Sequence, residues 1–145
     1  MSRTAISRGA ARRGGAAGRN TSAKPMAAAL LAQASRRWAD AAWHADPEER
    51  FAGAYTAAQR AAAAVLDARG RPHRGRSRPT SVWTLLGSVA PELSDWAGYF
   101  ADHSGSYAAV QAGITDRVTQ RDADELLSRS RVFLATVRQT MGGYA

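Results

Sequence analysis

The chain has 145 residues, no cysteine and a net charge of +8. That length suits one domain with its own core, and the missing thiols exclude disulfides and thiolate-bound metals while remaining compatible with a reducing cytoplasm. No stretch reaches the roughly eighteen uncharged apolar residues of a membrane span, and no apolar segment follows the first arginines as it would in a secretory signal.

Residues 1–24 are mostly Gly, Ala, Ser and Arg, with Ile6 as the one long aliphatic residue. They cannot bury enough apolar area to offset the entropy of ordering, so the composition predicts a basic tail without a fold. Met26 stands next to the first apolar pattern and is a second candidate start. The first helix is expected from Pro25 to about Ala45. Pro25 suits a first helical position. Leu30, Leu31, Ala34, Trp38, Ala41, Ala42 and Ala45 recur at three- and four-residue steps, which gives one apolar face. Arg36, Arg37 and Asp40 lie off that face.

Asp46-Pro47-Glu48-Glu49 reads as an N-cap, a first-turn proline and two acids that favour a helix N-terminus. The second helix then runs to about Ala68, with Phe51, Ala54, Tyr55, Ala58, Ala61, Ala62, Val65 and Leu66 in its stripe. A connection this short makes the two helices antiparallel neighbours. Their alanines allow close approach but bury little area each. Trp38, Trp43, Phe51 and Tyr55 are therefore expected to supply much of the core.

The stretch Ala68–Thr80 carries Arg69, Arg71, Arg74, Arg76 and Arg78, two glycines, two prolines and no carboxylate. Proline and glycine oppose a helix, which predicts an exposed cationic loop over 69–80. Thr80 or Ser81 can cap a short helix holding Val82, Trp83, Leu85, Leu86 and Val89. Pro91 interrupts it, and helix resumes with Leu93, Trp96, Ala97, Tyr99 and Phe100. Ser104-Gly105-Ser106 breaks or softens that helix before Tyr107 and Val110, and Gly113 is a candidate C-cap. Thr119 and Asp122 form a near capping box for the last helix. Leu126, Leu127, Phe133, Leu134, Val137 and Met141 line one of its faces, and Glu125 and Arg129 are spaced as a surface pair. No two-residue alternation appears, so no strand is expected. Trp83 and Trp96 belong in the core, with a dimer seam as the competing place.

Outside the tail and the loop, nine arginines face all twelve carboxylates. The helical body is thus mildly acidic, and the surplus positive charge sits on two pliable segments. Such segments suit a polyanion, although a GC-rich genome also favours arginine over lysine without any ligand. The five loop arginines are the candidate nucleic-acid contacts, acting on phosphates without reading sequence. His44 closes the first helix and His103 precedes Ser104, where a charged imidazole gains from the helix dipole. His73 lies in the loop. No His-x3-His or His–Glu pairing occurs, so neither metal nor other cofactor is expected, and no glycine-rich phosphate loop follows a strand.

The run Ser81-Val82-Trp83-Thr84-Leu85-Leu86 and the block Val89-Ala90-Pro91-Glu92-Leu93-Ser94-Asp95-Trp96-Ala97 resemble the actinobacterial SAV-type branch of the HEPN domains. Arg60 to Leu66 with the following loop, and Asp122-Ala123-Asp124-Glu125-Leu126-Leu127, look like the same family. The resemblance covers about residues 28–140. It implies an all-α, up-and-down bundle of four to five helices over residues 25–142, often dimeric. It also implies RNA binding or cleavage, frequently in toxin–antitoxin or defence systems. Active members cut RNA without a metal through an Arg-x4–6-His motif near the last core helix. Here no histidine follows Arg117 or Arg121, and Arg69 and His73 are too closely spaced. Arg37-x6-His44 alone has a permitted spacing, and it lies on the first helix, where the two residues share a face.

The expected function is a non-catalytic or degenerate HEPN-like module that binds RNA or another nucleic acid through Arg69, Arg71, Arg74, Arg76 and Arg78. Two alternatives stand beside it. One is a homodimerisation or protein-interaction module, and the other is a metal-independent ribonuclease using Arg37 and His44. No membrane contact is expected.

Overall fold

The computed structural model describes residues 25–70 and 81–142. All regular structure among them is helical: α1 over 25–43, α2 Pro47–Arg69, α3 Val82–Val89, a 3-10 turn Pro91–Leu93, α4 Ser94–Asp102, α5 Ser104–Gln111 and α6 Gln120–Thr140. The expected bundle is present. The penultimate helix is divided into α4 and α5, but the interruption falls at His103, and the expected break residues Ser104, Gly105 and Ser106 form the first turn of α5. His103 sits at the junction, with its Nδ1 2.8 Å from the Tyr99 carbonyl. The basic tail 1–24 and residues 71–80 lie outside the described residues.

Local chemistry sets the helix ends. The Asp46 carboxylate accepts from the Glu49 N–H at 3.0 Å and starts α2 behind Pro47. The Ser81 hydroxyl accepts from Trp83 and Thr84 and starts α3. Thr119 and Asp122 satisfy each other's backbone N–H groups at 3.0 Å, a complete capping box. Behind α5, Gly113 has φ +81, its N–H bonds Val110 and the Ile114 N–H bonds Ala109. That pairing is a Schellman motif, which requires a left-handed residue where a side chain is strained.

α2 is the central element and packs extensively on α6, with further contacts to α3 and α5. Its buried side is mostly alanine: Ala54, Ala57, Ala58, Ala61, Ala62 and Ala64 are fully inaccessible. Small side chains bring axes close, and α1 and α2 are in tight contact where Gly53 faces Ala41. A Cβ on Gly53 would stand 2.6 Å from that of Ala41.

The volume that the alanines leave is filled by aromatic rings from α2, α3, α4 and α6. Phe100 lies 5.0 Å from Trp83 and 5.1 Å from Phe133, centroid to centroid. The Trp83 indole N–H donates to the Tyr55 hydroxyl at 2.8 Å. Burial pushes the Tyr55 phenol above its ordinary value of 10.0. Trp83 is therefore core, and Trp96 packs against the same cluster. Trp38 is half-buried and donates to the Leu127 carbonyl on α6 at 2.8 Å.

Three sequence expectations are corrected. Trp43 is not a core residue: it is 88% exposed at the last turn of α1. It stands more than a quarter-turn outside the Ala34–Trp38–Ala41 stripe, and bulk does not override that phase. Arg69 is not in a loop but is the last residue of α2. Arg129 makes no ion pair with Glu125; its guanidinium lies 4.9 Å from the Trp96 ring centroid and 5.0 Å from that of Tyr99.

Candidate nucleic-acid interface

Helical periodicity places Gln33, Arg36, Arg37, Asp40, Trp43 and His44 within about a third of the α1 circumference, on the side away from the core. Arg60 of α2 projects to the edge of the same face. Gln33, Arg36, Arg37, Asp40 and Arg60 line an open depression of about 470 Å³. Three arginines and one carboxylate meet there, on a body whose overall balance is acidic. Arg36 and Arg60 are exposed and make no hydrogen bond or ion pair with the described residues. Arg37 donates from Nη1 to Asp40 Oδ2 at 3.2 Å.

The structure brings Arg37 and His44 together through Asp40, whose Oδ2 also lies 4.0 Å from His44 Nε2. The shared face expected from their spacing is therefore real. Its setting is open, with all three side chains exposed by 42% or more. Arg37 reaches back toward α2, where its Nη1 would stand 3.8 Å from a Cβ on Gly53, and Asp40 and His44 stand beside it on the open surface of α1. General acid–base work needs a substrate held within hydrogen-bond reach in a defined pose, and this face offers a landing surface without such enclosure.

Arg69 belongs elsewhere. Its Nη2 is 2.5 Å from Glu92 Oε2 and its Nη1 is 3.3 Å from Oε1, with Val89 O at 3.4 Å. The pair locks the end of α2 to the turn after α3. Arg69 and the backbone of Glu92 hold that carboxyl below its ordinary 4.5. Arg71, His73, Arg74, Arg76 and Arg78 lie outside the described residues.

At the opposite end of α1, Arg50 donates to the Ala42 carbonyl at 3.0 Å and to Asp124 Oδ1 at 2.6 Å. It ties the end of α1 and the start of α6 to α2. Gln120 and Arg50 hold the Asp124 carboxyl below its ordinary 3.8. Among the described residues, no group of three His, Asp or Glu side chains is placed to hold a metal ion. No described helix is long and apolar enough to cross a membrane.

The Gly53–Ala41 contact and the Arg60–Gln33 edge fix α1 and α2 as antiparallel. Equal lengths of helix separate Ala41 from residue 25 and Gly53 from Arg69, so the start of α1 lies level with the end of α2. Residue 25 and Arg69 therefore stand at one end of the bundle, and the arginine depression begins at Gln33, about 12 Å along α1 from that end. Sequence reasoning missed Gln33, Arg36, Trp43 and Arg60 as a group. The seven-residue step from Arg36 to Trp43 was the available signal, but Arg60 joins only through the α1–α2 register.

A family model described as HEPN_SAV_6107-like HEPN matches residues 39–138. That span runs from the last turn of α1 to the last turn of α6. Gln33, Arg36 and Arg37 precede it, whereas Asp40, Trp43, His44 and Arg60 fall within it. No curated protein and no solved structure matches the chain.

Proposed function

The chain belongs to the HEPN_SAV_6107-like HEPN family, and on that premise we propose that it is a non-catalytic module that binds RNA or another nucleic acid, in the setting of a toxin–antitoxin or defence system. The observation that supports this reading is the gathering of positive charge. Arg71, Arg74, Arg76 and Arg78 carry no carboxylate among them. They follow Arg69 in sequence, at the end of α2 that lies level with the start of α1, and the Arg36–Arg37–Arg60 depression lies further along α1. Arg69 contributes to this field only at a distance, because Glu92 neutralises it.

Contacts from such segments neutralise phosphates and release counterions, so affinity falls steeply with salt and depends little on sequence. Replacing Arg71, Arg74, Arg76 and Arg78 together with serine tests this. The variant should bind RNA more weakly and lose roughly 0.7 from the log–log salt slope for each single-strand phosphate contact removed. Unchanged affinity and slope would remove the segment from the account.

A second reading follows from one observation. Trp43 at 88% exposure is a large indole in water, and aromatic residues are enriched at protein interfaces. In that reading the module pairs with a second copy of itself or with another protein through the end of α1. Sedimentation of the full chain with and without Trp43→Ala separates the two readings.

A further inference from the structure

Trp43 and Arg36 lie on one stripe of α1, two turns and roughly 10 Å apart. Arg37, about a quarter-turn further round α1, and Arg60 of α2 both lie on the α2 side of that stripe, and Asp40 lies between its two ends. We infer that this face of α1 is a track for one unpaired strand of nucleic acid, in which a base stacks on the Trp43 indole and the neighbouring phosphates lie over Arg36 and Arg60. The inference rests on the nucleic-acid reading above and adds the class of ligand: single strand, not duplex.

Three observations carry it. The first is the indole itself. An apolar ring in water at the end of a basic stripe is a stacking platform, and every base offers it a π-face. In a duplex the faces of the bases are already stacked on one another, so the platform serves only unpaired nucleotides. The second is the state of the cations. Arg36 and Arg60 are exposed and bond nothing among the described residues, so their charge is available. Arg37 is oriented by Asp40 at 3.2 Å and turned toward the same depression. The third is the sign of the face. With three arginines to one carboxylate it opposes the acidic body around it, and a polyanion is the complement of that charge. A second copy of the chain docked face to face would set these arginines against their own equivalents, because a two-fold contact pairs a surface with itself.

Intrinsic fluorescence and anisotropy titrations of the full chain, with a short oligouridylate and a duplex RNA of matched length at one salt concentration, test the inference. Stacking should quench Trp43 on addition of the single strand. Trp43→Ala should weaken single-strand binding roughly 5- to 100-fold, the range set by loss of one base–aromatic stack, and leave duplex binding unchanged. Trp43→Phe, which keeps a ring, should restore most of the loss. Arg36→Ser with Arg60→Ser should lower the single-strand salt slope by roughly 1.4, at about 0.7 per contact. All these positions are exposed, so an unchanged Tm shows that each variant folds.

Single-strand affinity that does not respond to Trp43→Ala would overturn the inference while leaving binding through Arg71–Arg78 intact. A dimer that dissociates in Trp43→Ala without a change in RNA affinity would overturn it in favour of self-association. A full chain that binds neither oligonucleotide would overturn both this inference and the proposed function.

Discussion

Ala41 on α1 and Gly53 on α2 touch so closely that a single methyl group separates a fit from a clash: a Cβ added to Gly53 would stand 2.6 Å from the Ala41 Cβ. This contact fixes the antiparallel register, which sets the start of α1 level with the end of α2. Alanine is the better helix former, yet the Ala41 methyl blocks the change. Gly53→Ala should therefore destabilise the fold by about 1–3 kcal/mol, the range for overpacking a tight core, and lower Tm by several degrees. Adding Ala41→Gly removes the opposing methyl and should recover part of the loss. A single variant as stable as the parent in urea titration would show that the helices separate freely.

The Trp83–Tyr55 hydrogen bond joins α3 to α2 inside the aromatic cluster at 2.8 Å. Tyr55→Phe leaves the buried indole N–H without its acceptor. The expected cost is about 1–3 kcal/mol, the penalty for stranding one buried polar group. Trp83→Phe removes the donor and much of the ring volume and should cost more. In a double-mutant cycle the two changes should be non-additive, since they share one bond. Strict additivity would mean that the bond contributes nothing to the fold.

These elements divide by how much of them a linear reading could reach. Asp46-Pro47, Ser81 and the Thr119–Asp122 box were legible because a cap is satisfied within three residues of itself. Core positions on α2 and α6 were legible through their spacing. Trp43 was misplaced because size was weighed above phase: the residue is large, but its angle on α1 points to solvent. Arg69 was read as a loop residue because its partner, Glu92, lies in a separate turn beyond the basic stretch. No local pattern announces a pair of that separation. The Arg36–Arg37–Arg60 depression was equally hidden, since it exists only once α2 is laid against α1. Family membership was legible from the Val89–Leu93 block, while the role of the exposed α1 face was not.

Acid should loosen the ends of the bundle in a defined direction. Glu92 and Asp124 are both held below their ordinary values, 4.5 and 3.8, by Arg69 in the first case and by Gln120 and Arg50 in the second. A carboxylate whose folded value is depressed stabilises fully above its unfolded value. That stabilisation is lost as pH falls through the folded value. Urea midpoints should thus be level near neutrality and decline below about pH 4.5. Glu92→Gln should flatten part of the decline while lowering the neutral-pH midpoint slightly, because both partners are exposed. An identical acid profile in that variant would place the pH dependence elsewhere.

The Arg37–Asp40–His44 cluster should not cut RNA. It lies open on one helix, without an enclosing wall. The purified chain is expected to leave labelled RNA intact over hours, and His44→Ala is expected to behave in the same way. RNA degradation that His44→Ala and Arg37→Ala each abolish would make the protein a ribonuclease and refute its non-catalytic reading.

The most direct measurement is the affinity of the full chain for an oligouridylate across a series of salt concentrations. The account predicts binding that weakens with salt along a log–log slope of about −3 or steeper, as expected when four or more arginines neutralise single-strand phosphates. A slope near zero, or no binding at low salt, would contradict it.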